Sequence, residues 1–157
     1  MGVNHAAIRV GRLIEVGVRV GYRTAADVDV VFDEIAREIA KHPVGQKFVT
    51  CADWRYCAVM NAQTCEQLRK RLTLVNARVE RSVAVARPDS PTAVMQFMRL
   101  IREAQSPSRK VFFDPEEAID WLAEVLTPAE TARLRTFLNA PAGQPARIEG
   151  ERGPRSM

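Results

Sequence analysis

The densest concentration of reactive side chains lies at residues 108–126, "SRKVFFDPEEAIDWLAEVL", where Asp114, Glu116, Glu117 and Asp120 stand among Phe112, Phe113 and Trp121. Clustered carboxylates beside aromatic rings are a setting for general acid and base work, which needs a proton partner at hand. No histidine, cysteine or second carboxylate cluster accompanies these four acids. A structural reading covers them instead. "DPEE", "TPAE" and "DSPT" share one pattern, in which Asp114, Thr127 or Ser90 caps a helix and proline takes the first helical position. There the missing N–H costs nothing. Glu117 and Glu130 stand three residues after their caps, the spacing of a capping box, and their charge complements the helix dipole.

Metal chemistry has equally little to work with. Cys51, Cys57 and Cys65 are odd in number and lack a CxxC spacing, and His5 and His42 are far apart, so no metal and no cofactor is expected. A glycine-rich phosphate loop, a nucleophile elbow and a histidine-containing acid–base set are all missing from the sequence, which argues for a non-enzymatic protein.

The chain of 157 residues fits one domain, able to bury about two thirds of its unfolded surface without staples. Its 46% hydrophobic and 27% charged content is that of a globular protein, and no apolar run approaches the ~20 residues of a bilayer span. The N-terminus lacks the cationic start and long apolar core of a secretory signal, so a cytoplasmic protein is expected. The net charge of +4 and the pI near 9.3 suggest nucleic acid, but the basic residues are interleaved with acids. The nearest cluster, Arg69, Lys70 and Arg71, fans around a helix rather than lining one face. No nucleic acid and no membrane insertion are therefore expected.

The elements that must carry any site follow from periodicity. Residues 6–22 alternate as strand, with Ile14, Val16, Val18 and Val20 against Glu15, Gly17 and Arg19. Gly11 and Arg12 form a two-residue link suited to a type II′ turn, so the chain opens with an antiparallel hairpin. A helix follows, with Val28, Val31, Phe32, Ile35 and Ile39 on one face and Thr24 as its cap. Then come a strand at "QKFVTCADW", a helix at 62–75, a strand at "RVERSVAVAR", and a helix whose apolar face holds Val94, Phe97, Met98 and Ile101. The strand "RKVFF", the helix of the acidic stretch and a last helix at 128–138 complete the order. Strands alternating with helices predict an α/β fold with a mixed, mostly parallel sheet of about five strands. Residues 1–139 form the single domain, and 140–157, rich in Pro, Gly and charge, form a flexible tail.

This order resembles the small bacterial STAS-like proteins, related in fold to the anti-sigma-factor antagonists of sporulation and to the lipid-binding CRAL-TRIO fold. The resemblance covers about residues 8–126 and is carried by the hairpin, "FVTCADW", "ERSVAVARPD" and "RKVFFDPEEAIDWL". It implies a regulatory or signalling protein-interaction module. The sporulation antagonists are switched by phosphorylation of a serine at the start of the second helix. Here "DWRYCAVMNAQT" has no serine, and apart from Tyr56 the one hydroxyl is Thr64, the candidate phosphoacceptor or a plain helix-start residue.

Ligands of parallel sheets gather at the carboxyl ends of the strands. The candidate partner-binding residues are therefore Asp53, Trp54, Arg55 and Tyr56 in one loop, with Asp89 and Ser90 in a second. Trp, Arg and Tyr suit an interface, although Trp54 and Tyr56 could equally roof the core. The alternative function is a binder or sensor of a small apolar or lipid-like ligand, in a groove formed by Met60, Met95 and Met98. The partner is expected to be a protein, and an exposed hairpin edge leaves room for a homodimer.

Overall fold

The computed structural model of the protein describes residues 3–87 and 90–140. Asp89 and the tail from residue 141 onward lie outside these described residues, while Ala140 still packs against the core.

Strands β1 (His5–Ile8) and β2 (Leu13–Gly17) form the expected antiparallel hairpin. In its link the Leu13 N–H donates to the Val10 carbonyl at 3.3 Å, and Gly11 takes a φ of +57° that few other residues tolerate. Helix α1 (Ala25–Ile39) is capped by Thr24, whose side chain accepts the Asp27 N–H, and it buries Val28, Val31, Phe32, Ile35 and Ile39. Strand β3 (Phe48–Trp54), helix α2 (Ala62–Val75), strand β4 (Val79–Ala86), helix α3 (Pro91–Glu103) and strand β5 (Arg109–Phe112) continue the alternation. Helices α4 (Pro115–Ala123) and α5 (Pro128–Leu138) close the chain.

The result is the expected α/β architecture. The five strands lie in the order β1-β2-β3-β4-β5, antiparallel only between β1 and β2. Each parallel crossover steps to the next strand in one direction. Right-handed connections then place α1, α2 and α3 on the same face, where α1 packs on α2 and α2 on α3. Helices α4 and α5 cover the opposite face, against β4 and β2 respectively. Two cores result. Phe48 and Trp54 of β3 enter the α1–α3 core, while Val49 and Cys51 of the same strand enter the α4–α5 core.

Several expectations need correction. The alternation along 14–20 predicts only a strand, yet all five residues of β2 are buried, and Glu15 is only 1% exposed. Helix α5 covers that face, so the polar side chains point into a second layer and not into water. Helix α3 is rotated from its expected face: Ala93, Phe97 and Leu100 are buried, and Met98 is exposed. A capping box forms at Thr127 and Glu130, whereas Asp114 accepts the Glu116 N–H at 3.0 Å and the Glu117 side chain makes no reciprocal bond. The hairpin edge is also not free. The outward N–H groups of Ala6 and Ile8 donate to the carboxylates of Glu34 (3.5 Å) and Glu38 (3.1 Å), one turn apart on α1. Hydrogen bonding from Lys41, and then from the Ile8 amide, holds the Glu38 carboxyl below its ordinary range, so this cover stays anionic.

Glu130 does more than cap. Its buried carboxylate accepts the N–H of Thr127 and, at 2.8 Å, the N–H of Arg12 in the hairpin link. Replacing it by alanine strands both donors and should cost about 2–4 kcal/mol in urea unfolding. Glu117→Ala, at an exposed position without such bonds, should stay within about 0.5 kcal/mol of the parent.

Candidate functional site

A parallel sheet offers a ligand crevice where the strand order reverses and neighbouring helices part to opposite faces. This sheet has no reversal, so the topology opens no crevice of that kind at the ends of β2 to β5. The residues expected there have other work.

Asp53 is the penultimate residue of β3 and is fully buried on the α4–α5 face. Its Oδ1 accepts the Arg55 N–H (3.1 Å) and Nε (2.9 Å), and its Oδ2 accepts Arg55 Nη2 (3.0 Å) and the Nη1 of Arg19. The same Arg55 Nη2 donates to the Leu138 carbonyl at 2.7 Å, tying the strand end to the last residue of α5. Hydrogen bonding to Asp53 raises the Arg55 guanidinium above its ordinary value. Beside this node Glu15 accepts two bonds from Arg133 of α5, 2.5 Å from Nε and 2.9 Å from Nη2. Arg19 lies 5.2 Å from the centre of the Phe137 ring, and its Nε and Nη2 are buried with no hydrogen-bond partner among the described residues. Three guanidiniums thus face two carboxylates. Every carboxylate oxygen is engaged by a cation, so the arrangement locks α5 to the sheet and holds no acid or base ready for proton transfer.

Of the four residues expected in one loop, Asp53 and Trp54 are buried strand residues and offer a partner no surface. Trp54 roofs the α1–α3 core and meets Phe97 edge-on at 5.4 Å. Arg55 and Tyr56 follow half-buried, the latter with Arg87 5.3 Å from its ring centre. Ser90 accepts the Ala93 N–H as the cap of α3. Thr64 is 1% exposed, and the cap of α2 is Asn61, whose side chain accepts the Thr64 N–H at 2.8 Å. Its hydroxyl is out of reach of a kinase in this conformation.

The three methionines do not share one chamber. Met60 is buried, and the Gln96 side chain both donates to its carbonyl (2.7 Å) and accepts its N–H (2.8 Å), clasping α3 to the β3–α2 connection. Met95 and Met98 are 73% and 53% exposed on the outer side of α3. With Cys65, Arg69, Arg99 and Arg102 they line an open groove between α2 and α3. The void inside the α1–α3 core is separate, with a volume of about 30 Å³. Arg109 forms part of its wall, a buried cation bonded only to neutral acceptors: Asn76 Oδ1, Ser82 Oγ and the Leu72 carbonyl at 2.9, 2.9 and 3.0 Å. Burial pulls its guanidinium down to about 10.

Sequence reasoning missed Glu15, Arg19, Arg133, Arg109 and Gln96. The first two carried a signal, since a charged residue inside a valine-rich strand needs a buried partner. No group of three or more His, Cys, Asp or Glu that could hold a metal ion occurs among the described residues. Among the described residues no helix is long and apolar enough to cross a membrane. Compared with protein-family models, curated proteins and solved structures, the chain matches none.

Two measurements follow. Asp53→Asn removes the anion that faces Arg19 and Arg55 and should cost about 3–5 kcal/mol in chemical unfolding; a loss under about 1 kcal/mol would mean the node is not holding the layer. Burial raises all three thiols, Cys57 to about 12 and Cys51 well above its ordinary value, and Cys65 is the one that borders the groove. A thiol reagent at about pH 8 should therefore label Cys65 first, half-buried Cys57 more slowly, and buried Cys51 only on unfolding.

Proposed function

We propose that the protein is a non-enzymatic, STAS-like interaction module of the cytoplasm, regulatory in role, that receives a protein partner in the groove between α2 and α3. The observation that carries this reading is the exposure of Met95 and Met98 between the charged residues Glu66, Arg69, Arg99, Arg102 and Glu103 of that groove. Thioether side chains adapt to a partner's shape, and a rim of both charges, with Arg69 paired to Glu66, Arg99 paired to Glu103 and Arg102 beside them, gives direction to an otherwise apolar contact. The STAS resemblance points to the same place. It implies that partner switching acts at the start of the second helix, and Ala62 and Cys65 of α2 line the groove. With Thr64 buried, binding here proceeds without a phosphorylated hydroxyl at that position.

The alternative, a carrier of a lipid-like ligand, has less support. The interior void of about 30 Å³ has room for about two waters, and Met95 and Met98 lie outside it.

Affinity capture from the native host, comparing the parent with Met95→Glu/Met98→Glu, tests the reading. Both side chains are exposed, so the melting temperature should hold, while the captured partner should fall at least about tenfold. Equal capture by parent and variant would remove the groove from consideration.

A further inference from the structure

The two edges of the sheet are finished differently. On β1 the outward amides are covered by Glu34 and Glu38. Strand β5 has no such cover. In a parallel ladder each residue turns its N–H and its carbonyl to the same neighbour, and the next residue turns both the other way. The Ser82 N–H donates to the Ser108 carbonyl at 2.9 Å, and Ser82 is registered against Arg109. That phase points Lys110 and Phe112 at β4 and turns the amide and carbonyl of Val111 out of the sheet. No described residue bonds either group.

The side chains around this edge are apolar. Val111 and Phe113 pack half-buried against the α1–α3 core together with Ile101 of α3, and Phe112 and Trp121 do the same on the α4–α5 side. We infer that β5 is the interface of a symmetric dimer, in which Val111 of one copy pairs with Val111 of a second across a two-fold axis. Two five-stranded sheets then join into one continuous sheet.

The local sequence suits this self-pairing. An antiparallel match centred on Val111 sets Lys110 opposite Phe112 of the second copy, a cation beside an aromatic ring, and no like charges oppose each other within the strand. Other axes fit less well. A two-fold through Lys110 would bring two ammonium groups together at the closer cross-strand spacing. One through Phe112 would require Phe113 and Asp114, where the chain has already left the strand to cap α4.

Sedimentation of the full chain over a concentration series, with Val111→Pro beside the parent, tests the inference. Proline at 111 removes only the outward N–H and no bond of the β4–β5 ladder. The parent should dimerise, and the variant should keep its circular dichroism while its dissociation constant rises at least about tenfold. Val111→Cys guards against a variant that fails to fold. Paired residues about 5.5 Å apart are within disulfide reach, so this chain should cross-link on mild oxidation, while the parent with its native cysteines should not. A parent that stays monomeric, a dimer that survives Val111→Pro, or a Val111→Cys chain that fails to cross-link would overturn the proposal.

Discussion

Every crossover from β2 to β5 steps the same way across the sheet, and a right-handed connection leaves no choice of face once the direction is set. Helices α1, α2 and α3 are thereby committed to one side. The other side of a parallel sheet cannot stay bare, because its strands carry apolar residues on both faces. Leu13, Val49, Val83 and Val85 therefore require the C-terminal helices as a cover. The same constraint removes the topological crevice in which α/β proteins commonly hold ligands. What the fold leaves accessible is the outer side of the helices and the far edge of the sheet.

How the second layer is attached follows from what β2 and β3 present to it. Their α5-facing positions include Glu15 and Asp53, with Arg19 two residues past the end of β2, so α5 arrives with Glu130 and Arg133, both buried. The contacts are spread along the helix. Glu130 holds the hairpin link, Arg133 holds Glu15, and the carbonyl of Leu138 receives Arg55. Arg12 adds a bond from its Nη2 to the Val125 carbonyl, just before the helix starts. Buried ion pairs of this kind stabilise little more than well-packed apolar residues would, because desolvation offsets most of the attraction. Losing one partner is costly, however. Their effect is to admit one orientation of α5 and penalise the others.

What could be foreseen depended on how far apart the cooperating residues are. Thr24, Ser90, Asp114 and Thr127 each act on an amide within three residues, and all four helix starts were legible. The buried stripe of α1 was legible too, since its five large side chains repeat at helical spacing. Helix α3 misled because two stripes compete on it. The larger residues Val94, Met98 and Ile101 outweighed Ala93 and Leu100, although it is the latter two that are buried. Glu15 and Arg133 are 118 positions apart, and no local pattern connects them. Asp53 and Trp54 fit both the end of the strand "QKFVTCADW" and the start of the loop that follows, and β3 runs through both. The hairpin edge looked open because its cover comes from α1, a different element.

The two tryptophans are divided one to a layer. Trp54 sits in the α1–α3 core against Phe97, remote from solvent. Trp121 belongs to α4 on the opposite face, with the Arg81 guanidinium 4.7 Å and the Lys110 ammonium 4.6 Å from its ring centre. One indole is thus buried in the core and the other lies beside two cationic side chains, one of them, Arg81, paired with Glu124. The chain carries a built-in pair of optical reporters, and with either indole replaced by phenylalanine the emission of the other follows its own side of the sheet alone. Loosening of the C-terminal helices can in that way be told apart, by light, from melting of the three-helix side.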